Sequence, residues 1–458
     1  MALLVFAGWA AAAAAEPAPP TATPDGLDYV VVPADHHRRA GLARVIFLNR
    51  CPGGCTVGNQ RNDSRQNQST IPKRPGVLSE FPFGDQEWDK LVQCVRHAYS
   101  LYDVTVTDQE PDEVTDHIEV MVAGTSLALG FEASILGISP LAEDCSPVRN
   151  VLSFAFAAAH FQGNLNELCS TVVHEAGHTF GLDHALQCRD PMTYLVACGD
   201  RLFLNIESQC GEFRKSRFCR CSDRQNSHVK LLNELGPSGL LPTPGTVEIT
   251  SPASGETRWT GDIIAGRATD ARWIRSIELW INGFRWAKLP HQIVVDFHIL
   301  APEVSDGILD LEVRAYNDLG AMSVDRRTLL KGTPCETSAS CAAPERCQEG
   351  RCMYPTPVGL PGQTCTADSD CASWECQSYA GQQRCSQVCL VGANRSECAA
   401  DSTCVATEPD GVGMCWPTEE LPAAGCCDAG GRPPSALALL LVALGLRRRR
   451  RTADAARR

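Results

Sequence analysis

The run His174-Glu175-Ala176-Gly177-His178-Thr179-Phe180-Gly181-Leu182-Asp183-His184 carries the residue types that hold a catalytic metal ion. On a helix, residues four apart share a face, so His174 and His178 can present ring nitrogens to one ion at about 2.0–2.1 Å. Glu175 lies one step round, too far rotated to be an equivalent ligand but well placed to hold a water. His184 cannot join them on a continuous helix, because six further residues add about 9 Å of rise. The chain must break and turn back, and Gly181 supplies a residue able to take the left-handed conformation. Three neutral histidines leave the ion dipositive with an open position, which suits catalysis more than structure, and Zn2+ is the expected metal. Five specified residues at this spacing arise by accident in a chain of this length less than roughly once in 10⁴.

Shortly after His184 comes Asp190-Pro191-Met192-Thr193-Tyr194. The stretch from His174 to Tyr194 resembles the metzincin metallopeptidases. The resemblance makes Met192 the apolar base beneath the three histidines. It makes Tyr194 a residue that reaches the zinc or the transition-state oxyanion. It implies hydrolysis of a peptide bond in a protein or peptide substrate, with Glu175 as general base and later as proton donor to the leaving amine. The residue after the third histidine, which separates metzincin subfamilies, is Ala185, and it assigns none. No cysteine precedes residue 51, so latency through a cysteine in a pro-segment is not expected. His36, His37, His97, His117 and His160 lack partners at ligand spacing and read as surface or structural residues.

These residues need a scaffold. Arg44 to Leu48, Val104 to Thr107, His117 to Val122 and Val151 to Phe156 read as strands. Asp85 to Leu101 has apolar residues at helical spacing, and Leu165 to Phe180 reads as the helix bearing the histidines. The expected fold class for residues 41–236 is a metzincin-like α+β domain, a mixed twisted sheet with a zinc-bearing helix. Residues 237–244 read as a linker. Residues 245–333 contain no cysteine and alternate in short runs, as an all-β immunoglobulin-like sandwich would. Residues 334–416 read as small disulfide-rich modules, with two similar four-cysteine units from Cys335 and from Cys365.

The 458 residues exceed one ordinary domain, and the formal charge of −13 without an internal basic cluster argues against a nucleic-acid partner. The 24 cysteines point to an oxidising compartment. Residues 1–15 resemble a secretory signal peptide, and residues 16–40 read as a linker or short pro-segment. Near the end, Gly425-Cys426-Cys427, an apolar run of about 18 Å as a helix and Arg447 through Arg451 resemble the C-terminal sorting tails of myxobacterial surface proteins. That resemblance implies transient contact of residues 425–458 with inner-membrane sorting machinery, and a final place at the cell surface or outside the cell. Two other readings share the motif: a catalytically silent surface adhesion protein, and a zinc amidase acting on cell-wall crosslinks.

Overall fold

The computed structural model describes residues 27–34, 43–161, 164–195, 198–213, 215–257, 262–379, 381–390, 398, 402–406 and 412–417. The signal-peptide reading of residues 1–15 and the sorting-tail reading of residues 425–458 fall outside them. Among the described residues, no helix is long and apolar enough to cross a membrane.

Short β-branched and aromatic runs build the first sheet. Strands β1 (Leu27–Val32) and β2 (Val45–Asn49) are followed by a hairpin of β3 (Cys55–Val57) and β4 (Gly76–Leu78). Helix α1 (Asp85–Tyr99) buries Trp88, Leu91, Val92, Val95 and Tyr99, the face expected from their spacing. Then come β5 (Thr105–Thr107), β6 (Ile118–Val122), β7 (Gly137–Ala142), β8 (Leu152–Ala155) and helix α2 (Leu165–Thr179). The sheet order is β1-β7-β8-β6-β2-β5. Strands β5, β2, β6 and β8 are mutually parallel, β7 is antiparallel to β8, and β1 is parallel to β7. Helix α2 is buried from Leu168 to Thr179, and the Cys94–Cys169 disulfide ties it to α1.

Within the six-stranded sheet, two strands depart from the sequence reading. β7 (GISPLA) shows no alternation because all six residues are buried, so neither face is marked as polar. β1 lies within residues read as a linker or short pro-segment, yet its six residues pair with β7 along their whole length. An edge strand of this kind is decided by a partner more than a hundred positions away, which local pattern does not reveal.

Glu119, on central β6, is a buried carboxylate of this sheet. It is 2% exposed, and its Oε1 accepts from Asn49 Nδ2 at 2.7 Å. Burial outweighs that hydrogen bond and pushes the carboxyl from its ordinary 4.5 up to about 8. The folded state therefore binds this proton more tightly than the unfolded chain does. Its contribution to stability is full below the unfolded value and is lost as pH rises through about 8. Glu119→Gln should match the wild type in melting temperature near pH 4 and exceed it by several degrees near pH 9 (roughly one unit above the folded value), read by thermal denaturation across that range.

The next segment holds β9 (Cys210–Glu212), β10 (Lys215–Arg217) and helix α3 (Ser227–Leu235), which Asn226 caps by accepting from Val229 N. A second, antiparallel sheet follows, of β11 (Thr246–Ser251), β12 (Ile263–Ile281), β13 (Phe284–Leu300), β14 (Gly307–Asn317) and β15 (Met322–Lys331). β14 alternates strictly between buried and half-buried residues, so Leu309, Leu311, Val313 and Ala315 line a core with Ile277, Leu279 and Phe297. The all-β character expected for this region is present, with longer strands than the sequence runs suggested.

The segment read as a linker does not leave this sheet loosely tethered. Arg272 donates to both oxygens of Asp318 at 2.7 Å and to Phe203 O at 2.7 Å. Asp318 in turn accepts from Asn205 N at 2.8 Å. Arg272 and Asp318 come from the second sheet, Phe203 and Asn205 from the chain beside the first, so a buried ion pair locks the two together.

Beyond residue 334 the chain forms small hairpins: β16 (Arg346–Gln348) with β17 (Arg351–Met353), β18 (Cys376–Tyr379) with β19 (Gln382–Cys385), and β20 (Val388–Leu390) with β22 (Val412–Pro417) beside β21 (Ser402–Ala406). The expected disulfides are formed. Cys335–Cys347 interlocks with Cys341–Cys352, and Cys365–Cys376 with Cys371–Cys385. A third unit of the same one-to-three, two-to-four pattern, Cys389–Cys404 with Cys398–Cys415, was not apparent from the sequence because its intervals are wider. Crosslinking of this density fits an oxidising, extracytoplasmic environment.

Candidate metal centre

Helix α2 ends at Thr179, and the chain turns back through Gly181 at φ +85°. A side chain at that position would meet both strain and obstruction, since a Cβ would lie 2.0 Å from Cys145 O. The turn returns His184 to the two helical histidines. His178 Nε2 lies 2.9 Å from His174 Nε2 and 3.1 Å from His184 Nε2. All three rings are buried.

The opposite nitrogen of each ring is committed. His174 Nδ1 donates to Pro191 O at 2.8 Å, His178 Nδ1 to Leu182 O at 2.7 Å, and His184 Nδ1 to Glu212 Oε1 at 2.9 Å. Those acceptors fix the proton on Nδ1, so three Nε2 lone pairs face one point. Burial, reinforced by the neighbouring imidazoles, holds His174 well below its ordinary value and His178 at about 3. His174 and His178 are thus neutral, as ligands must be. Lone pairs facing one another at this range repel unless a cation lies between them. Tetrahedral bonds of 2.0–2.1 Å would set the nitrogens roughly 3.3 Å apart, so the donor set fits Zn2+ with a small expansion.

Glu175 follows His174 on α2 and is fully buried. Both of its carboxylate oxygens are buried without a hydrogen-bond partner, as is the hydroxyl of Ser139 on β7. Burial raises the Glu175 carboxyl well above the ordinary carboxylate range, with the Ser139 hydroxyl pulling slightly the other way. Gly137, also on β7, makes room for it: a Cβ there would stand 2.2 Å from Glu175 Oε1 and 2.8 Å from its Cδ. Met192 lies beneath the helix turn, where a Cβ on Gly177 would meet its Sδ at 2.6 Å. Tyr194 is buried, with its ring edge-on to His184 at 4.5 Å between centroids. Burial, with Asp28 and Glu175 nearby, raises its hydroxyl pKa.

The structure therefore brings together His174, Glu175, Gly181, His178, His184, Met192 and Tyr194. Other residues of the site were not legible in the sequence. Glu212 orients His184 from β9, and Arg217 on β10 bridges it at 2.6 Å to Asp183, which it grips at 2.6 and 2.7 Å. Burial would raise Asp183, but Arg217 and the backbone N–H groups of Arg220 and His184 bring it to about 2. Burial is likewise overridden at Glu212 by His184 and Arg217, to about 2. The Cys210–Cys219 disulfide closes the hairpin that carries this pair, while Cys145–Cys221 and Cys188–Cys198 staple the loops beside it. The remaining converging groups that could hold a metal include three cysteine triads, all consumed by disulfides, and Asp183 with His184 and Glu212. The only signal for Glu212 is its place between two cysteines, which does not name a partner.

With Glu175 as the base expected from the sequence, Gly137→Ala should lower turnover at least about 100-fold, because displacing the carboxylate by even an ångström destroys its alignment. Zinc content, measured by atomic absorption, should stay at the wild-type level since no ligand is touched.

No protein-family model matches the chain, and no curated protein does. Resemblances among solved structures are faint. They include fibronectin(III)-like modules of Clostridium thermocellum CbhA, at 20% identity over 20% of this chain and 48% of that one, with a TM-score of 0.17. Wild-type OgpA from Akkermansia muciniphila matches at 12% identity over 66% of this chain and 97% of that one, with a TM-score of 0.16. The chain spans about half the length of the first of these. At such scores neither carries an argument about fold or activity.

Proposed function

We propose that this chain is an exported zinc-dependent endopeptidase of the metzincin type. The observation that carries the reading is the convergence of three imidazole nitrogens at the end of a helix that also buries the Glu175 carboxylate. His174, His178 and His184 would hold the ion. Zinc bound there would supply Lewis acidity toward a water and the scissile carbonyl. Glu175 takes the proton of the attacking water at its carboxylate and returns it to the leaving amine, a role its raised affinity for protons suits. Tyr194, held against His184, donates its hydroxyl to the developing oxyanion. Glu212, Arg217 and Asp183 keep His184 in the ligand orientation.

In this reading the second sheet is an immunoglobulin-like module, residues 334–416 form a disulfide-rich stalk, and residues 425–458 direct surface sorting before their removal. Purified protein incubated with casein and with peptidoglycan, with and without a chelator, tests the reaction. Chelator-sensitive casein cleavage supports it. Cleavage of peptidoglycan alone would make the chain a cell-wall amidase. Stoichiometric zinc with neither substrate cut would leave a silent adhesion protein.

A further inference from the structure

β12 carries one residue more than its neighbour β14 requires. Ile274 lies opposite Asn317 and Ser276 opposite Tyr316, so Arg275 is the extra residue of a bulge. Ile274 and Ile277 both reach the core, although an unbroken strand sends residues three apart to opposite faces. Glu278 and Trp280 thereby share the other face of the sheet with Arg314 and Tyr316 of β14.

The disulfide unit from Cys365 to Cys385 stands over part of that face and bounds a cavity of about 530 Å³, the size of a small-molecule site. Its walls are held firmly. Arg285 donates to Glu278 at 3.2 Å, to Glu375 at 3.0 Å and to Asp368 at 2.7 Å, and Lys288 donates to Glu375 at 2.8 Å. Arg314 is gripped by Glu312 at 2.7 and 3.0 Å and lies over the Trp280 ring at 4.1 Å. Trp374 meets the same ring edge-on at 5.0 Å, from a left-handed backbone at φ +58° that a bulky residue rarely holds.

Two groups on these walls are left over. Among the described residues, no carboxylate pairs with Arg275 and no side-chain hydrogen bond engages it, although it lines the cavity. The Ser373 hydroxyl, also on the wall, is buried without a partner. A guanidinium fork and a hydroxyl beside aromatic surface suit a carboxylate carried on a partly apolar body. β12 and β14 are each paired on both sides, so the cavity offers no strand edge to an extended peptide. A sugar ring needs none, because its C–H face packs on aromatic surface and its hydroxyls meet polar walls.

We infer that this cavity is a binding site for a carboxylated saccharide, with Arg275 taking the carboxylate of a uronate unit and Ser373 a ring hydroxyl beside Trp374 and Tyr316. The site uses no residue of the histidine centre and stands whether or not the chain cuts peptide bonds.

Isothermal titration calorimetry of the full-length chain with tri-galacturonate tests it, beside the neutral galactose trimer and tri-glutamate. Wild type should bind the uronate trimer and hold the other two at least about tenfold more weakly. Arg275→Gln should weaken uronate binding at least about tenfold, the cost of losing hydrogen bonds to a charged group. Its melting temperature should not fall, since no protein partner is stranded. Ser373→Ala removes a hydroxyl and no charge; it should weaken binding about two- to tenfold, and it decides the matter if the arginine variant does not fold. No binding by wild type, or uronate affinity unchanged in both variants, overturns the inference. So does equal binding of the neutral trimer, and tighter binding of tri-glutamate would overturn it by making the occupant an acidic peptide.

Discussion

Glu175→Ala is expected to retain a full complement of zinc and to cleave casein about 10²–10⁴-fold more slowly than wild type, whereas His178→Ala should lose both metal and turnover. The difference follows from what each side chain faces. His178 Nε2 stands between the other two ligand nitrogens, at 2.9 and 3.1 Å, so removing it takes away the centre of the donor set. Glu175 contributes none of those three nitrogens, and the Ser139 hydroxyl is the protein group that approaches its oxygens. Its loss removes a proton acceptor and leaves the cradle. Zinc per chain by atomic absorption, beside initial rates on casein, reads the two effects separately. Equal zinc content in both variants would contradict the assignment of ligand and base.

Arg272→Ala should lower the free energy of unfolding by about 3–5 kcal/mol, the usual consequence of leaving one partner of a buried ion pair uncompensated. Asp318 is 2% exposed, and in the wild type both of its oxygens accept from Arg272. Phe203 O would lose its guanidinium donor in the same step. The double variant Arg272→Met/Asp318→Leu should recover much of the loss, because it removes the buried charge along with its partner. Urea denaturation followed by tryptophan fluorescence measures both. A single variant as stable as wild type would show that the two sheets do not depend on this pair.

How much of this was legible beforehand depends on how local each feature is. The histidine run could be read because helix geometry fixes the relation of His174, Glu175 and His178, and because Gly181 is the residue type the turn demands. The periodicity of α1 and the position of α2 follow from the same local rules, with ends shifted by one or two residues. Met192 and Tyr194 were found through resemblance; the first packs against Gly177 and the second against the His184 ring. Glu212 and Arg217 could not be found this way, since they reach His184 and Asp183 from 28 and 34 positions away. β1 and β7 failed as patterns for opposite reasons: one sits in a segment of linker composition, and the other is buried throughout. Disulfide count was legible from parity, and pairing was not, because spacing permits many connectivities.

The interlocked disulfides beyond residue 334 have a consequence of covalent topology. Between Cys335 and Cys352, every peptide bond is spanned by Cys335–Cys347, by Cys341–Cys352, or by both. The same holds from Cys365 to Cys385 and from Cys389 to Cys415. A single backbone cut inside any of the three units therefore releases nothing, and both new ends stay joined through sulfur whether or not the unit remains folded. Only the joints between units can part the chain, and the first of them exposes Val358 at 82% and Leu360 at 61%. Parting of the three units is thereby confined to the bonds between Cys352 and Cys365 and between Cys385 and Cys389, where the crosslinks are absent.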